Sequence, residues 1–231
     1  MSKIKVAFVG TESFYNNYDV SYLDNMRDVC KPLWESEIED GSGDYDAEFH
    51  VIDSWLVIPE SELCGEPNNP NCTTRDRGKD VDEWLRNNWN STYNLSYYDM
   101  HVIIVGDYYN NTNDGDRAIA QQTAGTQTHR CCLLDIPEIE SDTSKPGSPW
   151  RSLGYSGVAA HELLHMFLDE PSGYEHQYHV DRSGDTTIQY DPDANDYCYR
   201  YNSVDVVIEN VSYCTKNDVQ QWIDNHSDRF D

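Results

Sequence analysis

Basic residues are scarce in this chain. Six lysines and ten arginines stand against 42 acidic residues, a formal net charge of -26 at pH 7. Nucleic acid and anionic membrane surfaces would repel such a molecule, so both are poor partners. Long hydrophobic runs are lacking as well. No stretch approaches the roughly 18 apolar residues that span a bilayer, and Lys3 and Lys5 interrupt the first apolar segment, which reads as a strand and not as a signal peptide. There is no C-x-x-C pair, which excludes a zinc ribbon, and neither an internal repeat nor a low-complexity linker.

What is present fits one domain of 231 residues, long enough to bury a sizeable core. The charge points to a halophilic source, because at molar salt the screening length falls to roughly 3 Å and self-repulsion is muted. The alternative is an ordinary acidic secreted protein with bound calcium. Five aspartates between Asp181 and Asp196 could suit Ca2+, although the glycine and closing glutamate of an EF-hand loop are missing. Six N-x-S/T sequons, at Asn71, Asn90, Asn94, Asn110, Asn210 and Asn225, together with seven cysteines, lean toward an exported protein whose leader is absent from this chain; a cytoplasmic origin is the alternative. Cys64 with Cys72 and Cys198 with Cys214 are plausible bridges, and Cys30 could pair with Cys131 or Cys132.

Along the chain, "KIKVAFVG" reads as a strand, a helix follows from about Val20 to Glu39, and "DAEFHVIDSW" gives a second strand. Residues 57–78 read as a loop and "KDVDEWLRNNW" as a short helix. "YYDMHVIIVGDYY" is a buried strand by its apolar run, "GTQTHRCCLLDI" another strand, and "SDTSKPGSPW" a loop. A helix is expected from about Ser152 to Asp169, closed by Pro171 and Gly173, and a last helix in "TKNDVQQWIDNH" behind Thr215. This order predicts an α/β (α+β) fold with a mixed, mostly parallel sheet.

The stretch 160–179, "AHELLHMFLDEPSGYEHQYH", holds four of the eight histidines. His161 and His165 are four apart, so on a helix their rings lie one above the other and can face one tetrahedral ion. Glu162 beside them can reach a water at the ion's open position, where zinc lowers the water's pKa to about 7 and a carboxylate can take its proton. A chance H-E-x-x-H at this histidine content has a probability on the order of one per cent, and Ala159, Ala160, Leu163 and Leu164 give the motif a helical, buried setting. The reading is a Zn2+ site.

Candidate third ligands come after the motif. Glu170, Glu175 and Glu209 are the later glutamates. In the pattern H-E-x-x-H-x-x-G-x-x-H the strict positions hold Leu168 and Pro171. An insertion of about five residues restores it, with Gly173 turning the chain and His176 as the ligand. His179 is the alternative.

With these residues the chain resembles the metzincin clan of zinc-dependent endopeptidases, and more loosely its reprolysin-like and archaemetzincin branches. The resemblance runs from Lys3 to about His226 in element order and is specific at His161 to His165. It implies a single catalytic domain, about 1–170 forming an N-terminal subdomain with the zinc-binding helix and about 171–231 a smaller C-terminal subdomain with a helix. It also implies an antiparallel edge strand, between about Gly115 and Asp135, to which a peptide or protein substrate adds as a further strand. The family's methionine after the third ligand has no counterpart, since the last methionine is Met166; "CYRYNS" looks like the local setting of that turn. Tyr201 there resembles the tyrosine that in some relatives approaches the metal or the oxyanion.

The resemblance implies a monomer that hydrolyses peptide bonds with Glu162 as general base. Three rivals stand beside it: a non-catalytic zinc-binding protein, a gluzincin-type hydrolase using Glu209 or a histidine, and a zinc hydrolase acting on another amide. An intact Glu162 opposes the first, because a structural zinc is normally closed by four protein ligands.

Overall fold

The structure is a computed structural model that describes residues 3–53, 58–63, 74–88, 95–106, 118–121, 130–143, 154–167, 211, 213–227 and 230. Among the described residues five strands form one sheet: β1 Ile4–Gly10, β2 Ala47–Ile52, β3 Met100–Val105, β4 Ala118–Gln121 and β5 Arg130–Asp135. Their spatial order is β2-β1-β3-β5-β4. The first four run parallel, and β4 lies antiparallel to β5, Ala118 opposite Leu134 and Gln121 opposite Cys131. The α-helices among the described residues are α1 Glu12–Asn17, α2 Ser21–Leu33, α3 Thr74–Asn88, α4 Ile136–Thr143, α5 Gly154–His165 and α6 Tyr213–Asn225. The class is α/β, as the element order predicts.

Alternation along the strands builds three layers. Ile4, Val6, Phe8, Met100, Val102, Ile104, Cys132 and Leu134 join side chains of α2, α5 and α6 in one core. Ala7, Val9, Ile103, Val105, Cys131 and Leu133 face the other way, onto Val81, Trp84 and Leu85 of α3. Strands covered on both sides need apolar residues at every position, which is why "VAFVG" and "HVIIV" show no period of two.

Helix α2 follows from its stripe of Leu23, Met26, Cys30 and Leu33, all buried. Pro32 lies inside it and has no N–H to give the preceding turn. The chain then widens into a π-type turn, Trp34–Ile38, where the Glu39 N–H reaches the Trp34 carbonyl at 3.1 Å. The helix read from about Val20 to Glu39 is therefore two segments of different pitch. Helix α3 begins at Thr74, within the span 57–78 read as loop, because "TRDR" has no apolar period to betray a helix. Ile58 in that span bridges Thr11, and Glu60–Glu62 makes a 3-10 turn. Short α1 and α4 were not expected, and α4 takes up residues 141–143 assigned to the loop "SDTSKPGSPW".

Gly106, just past β3, is required by a close approach. A Cβ there would lie 2.5 Å from Phe14 Cα and 2.7 Å from both Phe14 N and Ser13 O. A buried ion pair, Arg77 of α3 with Asp135 at the end of β5, joins the α3 layer to the segment that leads into α4. Among the described residues no helix is long and apolar enough to cross a membrane.

Candidate functional site

Helix α5 carries the H-E-x-x-H motif, and every residue from Ser156 to Phe167 is buried. A helix that is apolar nearly all round belongs in an interior, so the sequence "GVAAHELLHMF" delivers its three polar side chains into a core. The helix packs chiefly on α2, and also on α4, β4 and β5. Its C-terminal end is held by Phe167, whose ring centroid lies 5.0 Å from that of Trp34 and 5.5 Å from that of Trp222 on α6.

His161, Glu162 and His165 are only 6%, 8% and 6% exposed. The two imidazoles sit one turn apart with centroids 4.4 Å apart and planes at 77°. Their Nε2 atoms approach to 2.9 Å, a distance at which one Nε2–H donates to the other's lone pair. With both rings protonated on Nδ1 instead, the same two lone pairs are free to meet one cation. Burying polar side chains costs free energy unless they are satisfied, and the two rings meet that requirement in part through each other.

Sequence reasoning overlooked the neighbour of this motif on β5. In "RCCLLD" the alternation sends Cys132 toward the α2 and α5 layer and Cys131 toward α3. Burial, with the nearby Glu162 carboxylate as the next cause, pushes the Cys132 thiol well above its usual range. Cys30 shares the core with Cys132, whereas Cys131 lies across the sheet; all three are buried thiols. The Cys30 to Cys131 alternative is thereby removed by the pleat of one strand. Cys30 and Cys132 share a face but are likewise unbridged thiols, so neither expected Cys30 bridge is formed; the Cys64–Cys72 and Cys198–Cys214 pairings fall on side chains outside the described residues.

His176, His179 and Tyr201 lie outside the described residues, as do Gly173 and the aspartates from Asp181 to Asp196. Among the described residues no group of three or more His, Cys, Asp or Glu is placed to hold a metal. A metal ion held by the His161 and His165 nitrogens would need its further ligands from outside the described residues.

Two other places in the fold have the position or shape of a ligand site. The parallel strands stand in the order β2-β1-β3-β5, and open α/β sheets of this order bind ligands at the carboxyl ends of β1 and β3. Here α1 fills that crevice. The Gly106 N–H donates to Ser13 Oγ at 3.1 Å, Asn17 Nδ2 to the Gly106 carbonyl at 3.3 Å, and the Thr11 N–H to the Ile104 carbonyl at 2.8 Å. A pocket of about 380 Å³ lies beside α3, lined by Glu62, Asp80, Glu83, Trp84, Asn87 and Asn88. It is on the far side of the sheet from α5 and has none of the motif's chemistry.

No protein-family model matches the chain, and no curated protein is similar to it.

Proposed function

We propose that this protein is a zinc-dependent endopeptidase of metzincin type. The observation that carries the reading is the convergence of His161 and His165 Nε2 at 2.9 Å inside a buried helix, with Glu162 next to the first of them. Two nitrogens bound at 2.0–2.1 Å to one tetrahedral ion lie roughly 3.3 Å apart. An opening of a few tenths of an ångström fits the pair to zinc. His176 is the proposed third ligand, with His179 as the alternative, and both would reach the site from the chain that follows α5. The antiparallel strand β4, at the sheet edge and in contact with α5, supports the resemblance and offers an extended substrate a strand to pair with.

A zinc ion bound there would polarise the scissile carbonyl and lower the pKa of water. The chain's own part is then the following. His161 and His165 hold the ion in their neutral form. Glu162 accepts a proton from the attacking water and returns it to the departing amine, so that water and amide become acid and amine with no net proton change. The burial of His161, Glu162 and His165, 6–8% exposed, strengthens the electrostatics by keeping water away. Tyr201 is proposed to steady the oxyanion.

The test is an anomalous difference map collected on both sides of the zinc edge, combined with a peptide-cleavage assay of Glu162→Ala. A peak joined to His161, His165 and His176 or His179, with one position left to water, is expected, along with a variant that keeps zinc and loses cleavage by about 100-fold or more. A metal closed by four protein ligands, or undiminished cleavage in Glu162→Ala, would remove the reading.

A further inference from the structure

Between Gly154 and His161 the side chains of α5 are Tyr155, Ser156, Gly157, Val158, Ala159 and Ala160. Four of these six are no larger than serine. The rotation of one helix against another is normally fixed by ridges of side chains lodged in grooves, and the first two turns of α5 offer almost none.

Tyr155 is the exception. Its ring stacks on Tyr22 of α2, with centroids 4.9 Å apart and planes at 22°. Its hydroxyl accepts a hydrogen bond from Asn25 Nδ2 of α2 at 2.9 Å. Tyr22 in turn donates to Glu140 Oε1 of α4 at 3.2 Å. The ladder continues through Tyr18, edge-on to Tyr22 at 5.1 Å, to Phe14 of α1, stacked on Tyr18 at 5.8 Å. Phe14 is fully buried, so the ladder ends on a fixed point. One side chain in the first turn of α5 is thus tied through α2 to α1 and α4.

Tyr155 and Glu162 are seven residues apart, about 700° around the axis and within roughly 20° of two full turns. They occupy the same stripe of the helix. We propose that Tyr155 is a positioning residue that sets the roll of α5 and thereby the placement of Glu162, His161 and His165, an inference that rests on the catalytic reading above. A carboxylate about 6 Å from the helix axis moves about 1 Å when the helix rolls by about 10°. A displacement of that size can cost roughly 100-fold in rate.

The experiment compares Tyr155→Ala, Tyr155→Phe and Tyr155→Leu. In metal-free protein, nitrogen-15 spectra of the histidine rings should show His161 and His165 hydrogen-bonded to each other in the wild type and in Tyr155→Phe, which keeps the stack, and released in Tyr155→Ala. With zinc bound, Tyr155→Ala should lower kcat at least about 10-fold with KM within about 2-fold, while Tyr155→Phe recovers to within about 3-fold of wild type. Unchanged ring spectra and unchanged kcat in Tyr155→Ala, with only a lowered Tm, would overturn the proposal. Should Tyr155→Ala not fold, Tyr155→Leu removes the ring stacked on Tyr22 while keeping an apolar side chain; it should release the two histidine rings, and wild-type ring spectra in it would overturn the proposal equally. If the wild type neither holds zinc nor cleaves peptide, the catalytic reading fails, while the metal-free ring spectra still decide the positioning role.

Discussion

Breaking the Arg77–Asp135 pair should be among the most costly single changes to this fold. Arg77 Nη1 donates to Asp135 Oδ2 at 2.9 Å, and each side chain is only 3% exposed. At an effective dielectric of about 20 the attraction at that distance is about 6 kcal/mol, most of which offsets the removal of both ions from water. The pair as a whole therefore adds little, but half of it is worse than none. Asp135→Asn removes the carboxylate charge that lies 2.9 Å from a buried guanidinium, and should lose about 3–5 kcal/mol of unfolding free energy. The double variant Arg77→Met with Asp135→Leu removes both charges and should return to within about 1–2 kcal/mol of wild type. Urea unfolding at pH 7, followed by circular dichroism in 0.1 M and 1 M potassium chloride, measures both quantities. The loss should be nearly the same at the two salt concentrations, because a buried pair is weakly screened. Arg27 with Asp24 and Asp28 on the surface of α2 is the control, worth no more than about 1 kcal/mol and less in salt. A loss under about 1 kcal/mol in Asp135→Asn, or a double variant as unstable as the single one, would refute the reasoning.

Gly106→Ala should destabilise by about 1–3 kcal/mol or more, because the new methyl meets backbone atoms of Ser13 and Phe14 that cannot turn aside; a wild-type melting temperature would contradict the close approach. Burial raises the thiol pKa of Cys131 and Cys132, so above about pH 8.5 the native chain keeps protons that the unfolded chain releases. Stability should then fall with rising pH by about 1.4 kcal/mol per unit for each thiol. A Cys131→Val, Cys132→Val variant should show a shallower decline, and equal slopes would exclude the thiols as its cause. The net charge of -26 predicts a fold more stable at molar potassium chloride than in dilute buffer; a flat melting temperature across that range would count against the halophilic reading.

The elements most legible in the sequence are those whose pattern is set by burial alone. Strands β1, β2, β3 and β5 announce themselves as apolar runs bounded by polar turns, and α2 by its stripe of Leu23, Met26, Cys30 and Leu33. Helix α5 was legible because its motif spacing is helical and its flanks are apolar. Short α1 and the polar first turn of α3 were not, since six residues or one polar turn hold no period, and they are helical only because Phe14 and Val81 find a core. The pairing alternatives of Cys30 stayed open for a related reason: adjacent cysteines are equivalent in sequence, and only the pleat of β5 sends one to each face.

By itself the sequence determined the chemistry available, which is two histidines and a glutamate at helical spacing, an acidic surface, and enough apolar residues for a layered α/β core. These are local facts, fixed by the 3.6-residue turn and by the choice of side chains. Tertiary structure decided what surrounds them. It brought the two imidazole nitrogens to 2.9 Å in a buried helix, filled the crevice between β1 and β3 with α1, set Cys132 near Glu162, and held the smooth first turns of α5 through Tyr155. Each of those outcomes depends on which elements pack together. Contacts between residues as far apart as Asn25 and Tyr155 arise from sheet order and helix packing, which no window of sequence contains.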